Sequence, residues 1–137
     1  MDIAFVAGFG PISTSGTSSL DFWSGTLGIG LNELGPGYFS TEALDGVRAF
    51  AVWPLTQAAE SVFGTQDWPD ELPVPQAWIE FDLTTPEALQ PAVDELAAGG
   101  HRLLREIVLE PWGQWTTRLL SPEGLLVGIT YTPWMHT

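Results

Sequence analysis

One order of elements, strand–helix–strand–strand–strand, runs twice through this chain, and that repetition constrains its fold more than any other feature. In the first pass, residues 3–12 (IAFVAGFGPI) form an apolar run with two glycines, the pattern of a buried strand. A Ser or Thr near positions 17–18 can cap a helix whose apolar face is Leu20, Trp23 and Leu27, with Gly28 to end it. Ile29 to Leu34, Gly37 to Leu44 and Val47 to Pro54 then read as three short strands, punctuated by Gly-Pro-Gly and Asp-Gly turn signals.

The second pass is sharper. Ala77 to Leu83 alternates, with Ile79, Phe81 and Leu83 on one face and Trp78, Glu80 and Asp82 on the other, as a half-buried strand does. Thr85, Pro86 and Glu87 follow as N-cap, first-turn proline and first-turn acid. The helix they open presents Leu89, Val93 and Leu96 on one side and stops at Gly99-Gly100. Residues 102–109, 114–120 and 125–132 complete the unit as strands, with SPEG at 121–124 as the tight turn between the last two. Between the passes, Leu55 to Phe63 has helical composition and Gly64 to stop it, while 64–75 holds three prolines and three acids and reads as a linker. The expected organisation is one domain over 1–137, built from a unit at 1–54, a connector at 55–75 and a second unit at 76–137.

Charge narrows the function. Seventeen Asp and Glu against four Arg and no Lys give a net charge of −13, which repels phosphate backbones and anionic membrane surfaces. Nucleic acid and membrane are therefore excluded as expected partners, and the field favours a cationic one. With no Cys there is no disulfide or thiolate chemistry. No apolar run approaches the roughly 20 residues that span a bilayer. Asp2 and the lack of a basic leader make the cytoplasm the expected compartment.

Three segments carry a family resemblance: SLDFWSGTLGI at 19–29, EPWGQ at 110–114 and LLSPEGLLVGI at 119–129. In this order and spacing the chain resembles the vicinal oxygen chelate superfamily of glyoxalase I, extradiol dioxygenases and bleomycin-resistance proteins. The resemblance implies an α+β fold in which two tandem βαβββ units form a curled mixed sheet with a central cleft. It also implies a divalent metal on His, Glu or Gln side chains from four strands. Here those positions fall on Val6, Ala7 or Gly8, on Ala49 or Ala51, on Trp78 and on Gly128, none of them a ligand. His101 falls in a turn and His136 in the C-terminal tail, and Glu80 alone does not hold a catalytic metal. The chain is thus expected to need no metal or other cofactor.

Seven Trp and seven Phe supply a different chemistry. Alternation places Trp78 and Glu80 toward the cleft, and Trp53 with them, as an aromatic floor beside a carboxylate suited to a flat or cationic ligand. Trp112 and Gln114 belong at the mouth, Arg118 is a candidate ion-pair partner or anion anchor, and Gly128 and Thr130 leave room on the last strand. Trp23 is expected in the core, and Trp68 as a lid, a dimer contact or a loop anchor. The competing reading of the aromatic floor is a second packed layer or a dimer interface. The family's bleomycin-resistance branch implies an acidic homodimer that sequesters a cationic or aromatic ligand such as an antibiotic. The alternatives are a metal-dependent lyase, isomerase or dioxygenase with non-standard ligands, a metal-free enzyme, and an assembly domain with a filled cleft.

Overall fold

The computed structural model describes residues 1–136. Eight strands form one mixed sheet in the order β2-β3-β4-β1-β5-β8-β7-β6. The first half holds β1 (Ile3–Ser13), β2 (Asn32–Gly35), β3 (Tyr38–Thr41) and β4 (Phe50–Pro54), and the second holds β5 (Ala77–Leu83), β6 (Leu103–Leu109), β7 (Trp115–Leu120) and β8 (Leu126–Tyr131). Each half repeats the other. β1 lies parallel to β4, and β5 lies parallel to β8, while the remaining neighbours pair antiparallel. The halves join through β1 and β5, which run antiparallel at the centre of the sheet within this one chain. The fold is α+β, a curled mixed sheet with few helices, as the family resemblance implies.

The two glycines of the apolar N-terminal run have a packing role at that central seam. A Cβ on Gly8 would stand 2.5 Å from the Trp78 ring, and one on Gly10 would collide with the Ala51 backbone. Bare backbone at these positions lets β4 and the Trp78 indole close on β1.

Helix α2 (Leu55–Phe63) ends at Gly64 in the left-handed conformation, at the residue the sequence marks. It buries Ala58, Ala59 and Val62. α3 (Leu89–Ala98) is preceded by a single tight turn over Pro86–Ala88, and Leu89 and Ala92 are its buried residues. Thr85 stands at the N-cap but makes no side-chain capping bond. The first helix departs most from expectation. α1 spans only Gly16–Leu20, then widens into a π-turn over Asp21–Thr26. Ser24 and Gly25 are poor helix formers, and the wider turn carries Leu27 round to solvent, so the expected apolar stripe is not buried. Trp23 and Leu20 are half-buried, and the Trp23 ring lies 5.5 Å from that of Phe50. The following strand is correspondingly late, starting at Asn32 instead of Ile29, and the next two are shorter than their apolar runs.

The linker holds itself in place. Trp68 packs edge-on against Phe63 and donates from Nε1 to the Pro73 carbonyl at 2.9 Å, the geometry of a loop anchor. No helix of the described residues is long and apolar enough to cross a membrane.

Candidate functional site: an aromatic cavity over a buried ion pair

Parallel and antiparallel register line up three rows of side chains across β5, β8 and β7. They are Trp78–Leu126–Leu120, Glu80–Gly128–Arg118 and Asp82–Thr130–Thr116. Above this surface lies a cavity of about 400 Å³. Of the sequence candidates, Trp53, Trp78, Glu80, Trp112, Gln114 and Arg118 line it. Thr130 does not. Its hydroxyl is buried and donates to Asp82 Oδ1 at 2.6 Å, because Asp82 and the C-terminal segment close that end of the row.

The middle row forms the floor. Arg118 Nη1 donates to Glu80 Oε2 at 2.6 Å across Gly128, with Arg118 1% and Glu80 8% exposed. Glu80 Oε1 takes a second bond from Gln114 Nε2 at 2.8 Å. Gln114 in turn donates to Thr132 Oγ1 and accepts from Trp112 Nε1, so its amide orientation is dictated at three points. Thr132 passes the chain on to Asp82, whose Oδ2 lies 2.7 Å from His136 Nε2. One connected polar network therefore runs from the cavity floor to the tail. The carboxylates Glu80 and Asp82 share a strand face as alternation predicts, and each is fully engaged by other partners.

The aromatic wall sits over this floor. Trp53 and Trp78 meet edge to face at 5.9 Å, and both belong to a packed cluster with Ala51, Ala58, Val62 and Leu126. Packing and cavity lining are thus two sides of the same indoles. Trp78 Nε1 is engaged by the Ala51 carbonyl, and the Arg118 guanidinium lies 5.3 Å from the Trp53 ring centroid. Tyr38 contributes its phenol to the lining, and burial together with the nearby Glu80 carboxylate pushes its pKa up to about 12.

Several lining residues escape sequence reasoning. Tyr38, Ser40 and Glu42 fall at i, i+2 and i+4 along and just beyond β3, so alternation alone could have placed them on one face. Trp134 and Met135 could not be found that way. They reach the cavity because the tail folds back, with Trp134 Nε1 donating to Glu42 at 3.3 Å and Arg48 to the Met135 carbonyl at 3.4 Å. His136 likewise comes from the tail to stack on Tyr131 at 4.3 Å.

The residues do not fit a divalent metal. Ala7, Ala49 and Trp78 line the cavity at three of the positions where the family resemblance puts ligands, and they carry no free donor atoms. The fourth, Gly128, lies beneath a guanidinium whose permanent positive charge opposes a second cation. Among the described residues no three His, Cys, Asp or Glu side chains gather as a metal cluster.

The eight-stranded sheet and the cavity between its halves are those of the glyoxalase/bleomycin resistance fold. Among solved structures the chain is similar to a glyoxalase/bleomycin resistance protein/dioxygenase superfamily member from Vibrio splendidus 12B01, with TM-score 0.58 and 19% identity over 93% of this chain and 97% of that one. It is similar to a Legionella pneumophila protein described as an NAD-dependent benzaldehyde dehydrogenase, with TM-score 0.62 and 11% identity over 90% and 96% of the two chains. BphC, a halotolerant catechol dioxygenase, matches with TM-score 0.60 and 16% identity over 95% of this chain, which spans 40% of that enzyme. At these identities the likeness establishes the fold. No protein-family model matches the sequence, and no curated protein matches it.

Proposed function

We propose that this chain is a binding protein that sequesters an aromatic small molecule, of the size and kind of an antibiotic, without a metal. The fold alone hosts both catalysis and sequestration, so the residues of the site distinguish them. The observation that carries it is the ion pair between Arg118 and Glu80 beneath Trp53 and Trp78. It fills the floor with a matched protein charge where metal chemistry would need free acceptors, and leaves indole and phenol surfaces as the wall. A cavity of about 400 Å³ suits a ligand of two or three fused rings. Homodimerisation is part of this reading, supported by exposed Leu34, Trp112 and Trp134 around the mouth.

Equilibrium dialysis against Zn, Ni, Fe and Mn, followed by tryptophan fluorescence titration with aromatic compounds, tests the proposal. The expected result is no retained metal and a saturable fluorescence change that Trp78→Ala weakens by about 1 kcal/mol or more. One equivalent of tightly held metal per chain would overturn it in favour of a metal-dependent lyase, isomerase or dioxygenase.

A further inference from the structure

The net charge of −13 invites a cationic ligand, yet the cavity is built against one. Both oxygens of Glu80, the carboxylate on its floor, are engaged, Oε2 by Arg118 and Oε1 by Gln114. The Gln114 carbonyl oxygen accepts from Trp112. A guanidinium already lies by the Trp53 ring, 5.3 Å from its centroid. An incoming cation would thus meet a fixed positive charge and no unengaged carboxylate on the cavity floor. An incoming anion would meet an Arg118 whose charge Glu80 already matches through Nη1, and would find on it one buried donor, Nε, that has no partner. Among the described residues lining the cavity the other carboxylate is Glu42, which lies exposed at the rim, where solvent screens its charge and Trp134 donates to Oε1.

From this geometry we infer that the ligand of the cavity is an uncharged planar aromatic molecule, and that the cavity discriminates against charged aromatics of the same shape. The inference rests on the reading of the cavity as an aromatic-ligand site. Burial around Tyr38, which keeps its phenol protonated, acts in the same direction, since a medium that disfavours phenolate disfavours any added charge. The same phenol offers a neutral acceptor, such as a ligand carbonyl, a hydrogen-bond donor. The acidic surface and the binding site therefore have separate chemistry: the first draws cations to the exterior, and the second admits uncharged rings.

Three naphthalenes of matched shape test this by isothermal calorimetry at pH 7: 2-acetylnaphthalene, 2-(aminomethyl)naphthalene and 2-naphthoate. The ketone is expected to bind at least about tenfold tighter than either ion. Binding of the amine or the carboxylate as tightly as the ketone overturns the inference and leaves the aromatic-ligand reading standing. Binding of none of the three overturns that reading and the inference with it. Arg118→Met frees Glu80 and vacates the Trp53 ring, so it is expected to bring the amine level with the ketone or ahead of it. Gln114→Met frees one Glu80 oxygen while keeping the ion pair, and is expected to raise amine affinity several-fold if Arg118→Met does not fold. An unchanged order in a folded variant of either kind overturns the assignment of selectivity to this network.

Discussion

Glu80 and Arg118 stand on strands that are not neighbours, and their side chains meet over the one residue between them that has no side chain. Gly128 of β8 is in register with Glu80 of β5 on one side and Arg118 of β7 on the other. A Cβ built there would stand 2.7 Å from Arg118 Nη1 and 2.9 Å from Glu80 Cγ. The cavity floor is thus a three-residue device in which the glycine is as necessary as the charges.

Gly128→Ala is accordingly expected to destabilise the protein by about 1–3 kcal/mol, the cost of forcing volume into a filled site. Gly16→Ala, where an added Cβ meets nothing within 4 Å, serves as the control and is expected to change stability by no more than about 0.5 kcal/mol. Urea unfolding of the two variants measures the contrast, and equal losses would remove Gly128 from the device.

Breaking the ion pair from one side is expected to cost more than removing both charges. Arg118→Met leaves Glu80 buried without its counter-charge, a loss of about 3–5 kcal/mol, and Glu80→Leu strands the guanidinium in the same way. The double variant is expected to be more stable than the sum of the single losses implies, with a coupling term of about 1–3 kcal/mol. A double-mutant cycle in urea measures it, and strict additivity would show that the two groups do not act as a pair.

Much of this was legible in the chain because alternation is a local signal. Trp78 and Glu80 sit on the cleft face of Ala77–Leu83 for the same reason that Ile79 and Phe81 do not, and Gly64 marks the end of α2 by its own backbone preference. The ion pair was legible in part: Arg118 stood out as an ion-pair candidate, but its meeting with Glu80 across Gly128 did not. Arg118 reaches Glu80 only because β8 lies between β5 and β7, and strand order is decided by pairing across the whole sheet. Thr130 fails for a related reason: it has the right face, but Asp82, Thr132 and His136 cover its end of the row. Leu27 was lost to one widened turn, which shifts every later residue around the helix axis.

Tyr38 ties stability to alkaline pH. Its pKa is raised to about 12, so the folded state holds the phenol proton more tightly than the unfolded chain, where the ordinary value is 10.0. The associated stability, roughly 2–3 kcal/mol, is fully present below pH 10 and is lost as pH rises from there through 12. Phenolate absorbance is expected to show a step near 12 that Tyr38→Phe abolishes. Persistence of that step in the variant would assign it elsewhere.

The tail's buried attachment is the Asp82 carboxylate, beside the more exposed bonds of Trp134 to Glu42 and Arg48 to the Met135 carbonyl, and it is testable at a single atom pair. Asp82 is 0% exposed and accepts from the Thr130 hydroxyl, the Thr132 hydroxyl and the Thr132 amide, with His136 Nε2 at 2.7 Å as its fourth partner. His136→Ala removes the last of these and the ring that packs on Tyr131 and Phe5, but leaves Asp82 three donors. The expected loss is therefore modest, about 1–2 kcal/mol. Asp82→Ala, which takes the acceptor from two buried threonine hydroxyls and leaves the Thr132 amide without its partner, is expected to cost more, about 3 kcal/mol or above. Because Trp134 and Met135 form part of the cavity wall, loosening His136 is also expected to speed amide exchange at Met135 and His136, whose bonds to Thr132 and Pro133 close the last turn. Hydrogen exchange read by mass spectrometry on the C-terminal peptide measures this directly. Equal protection in wild type and His136→Ala would show that the other contacts of Trp134 and Met135, with Glu42 and Arg48 among them, hold the tail without the Asp82 pair.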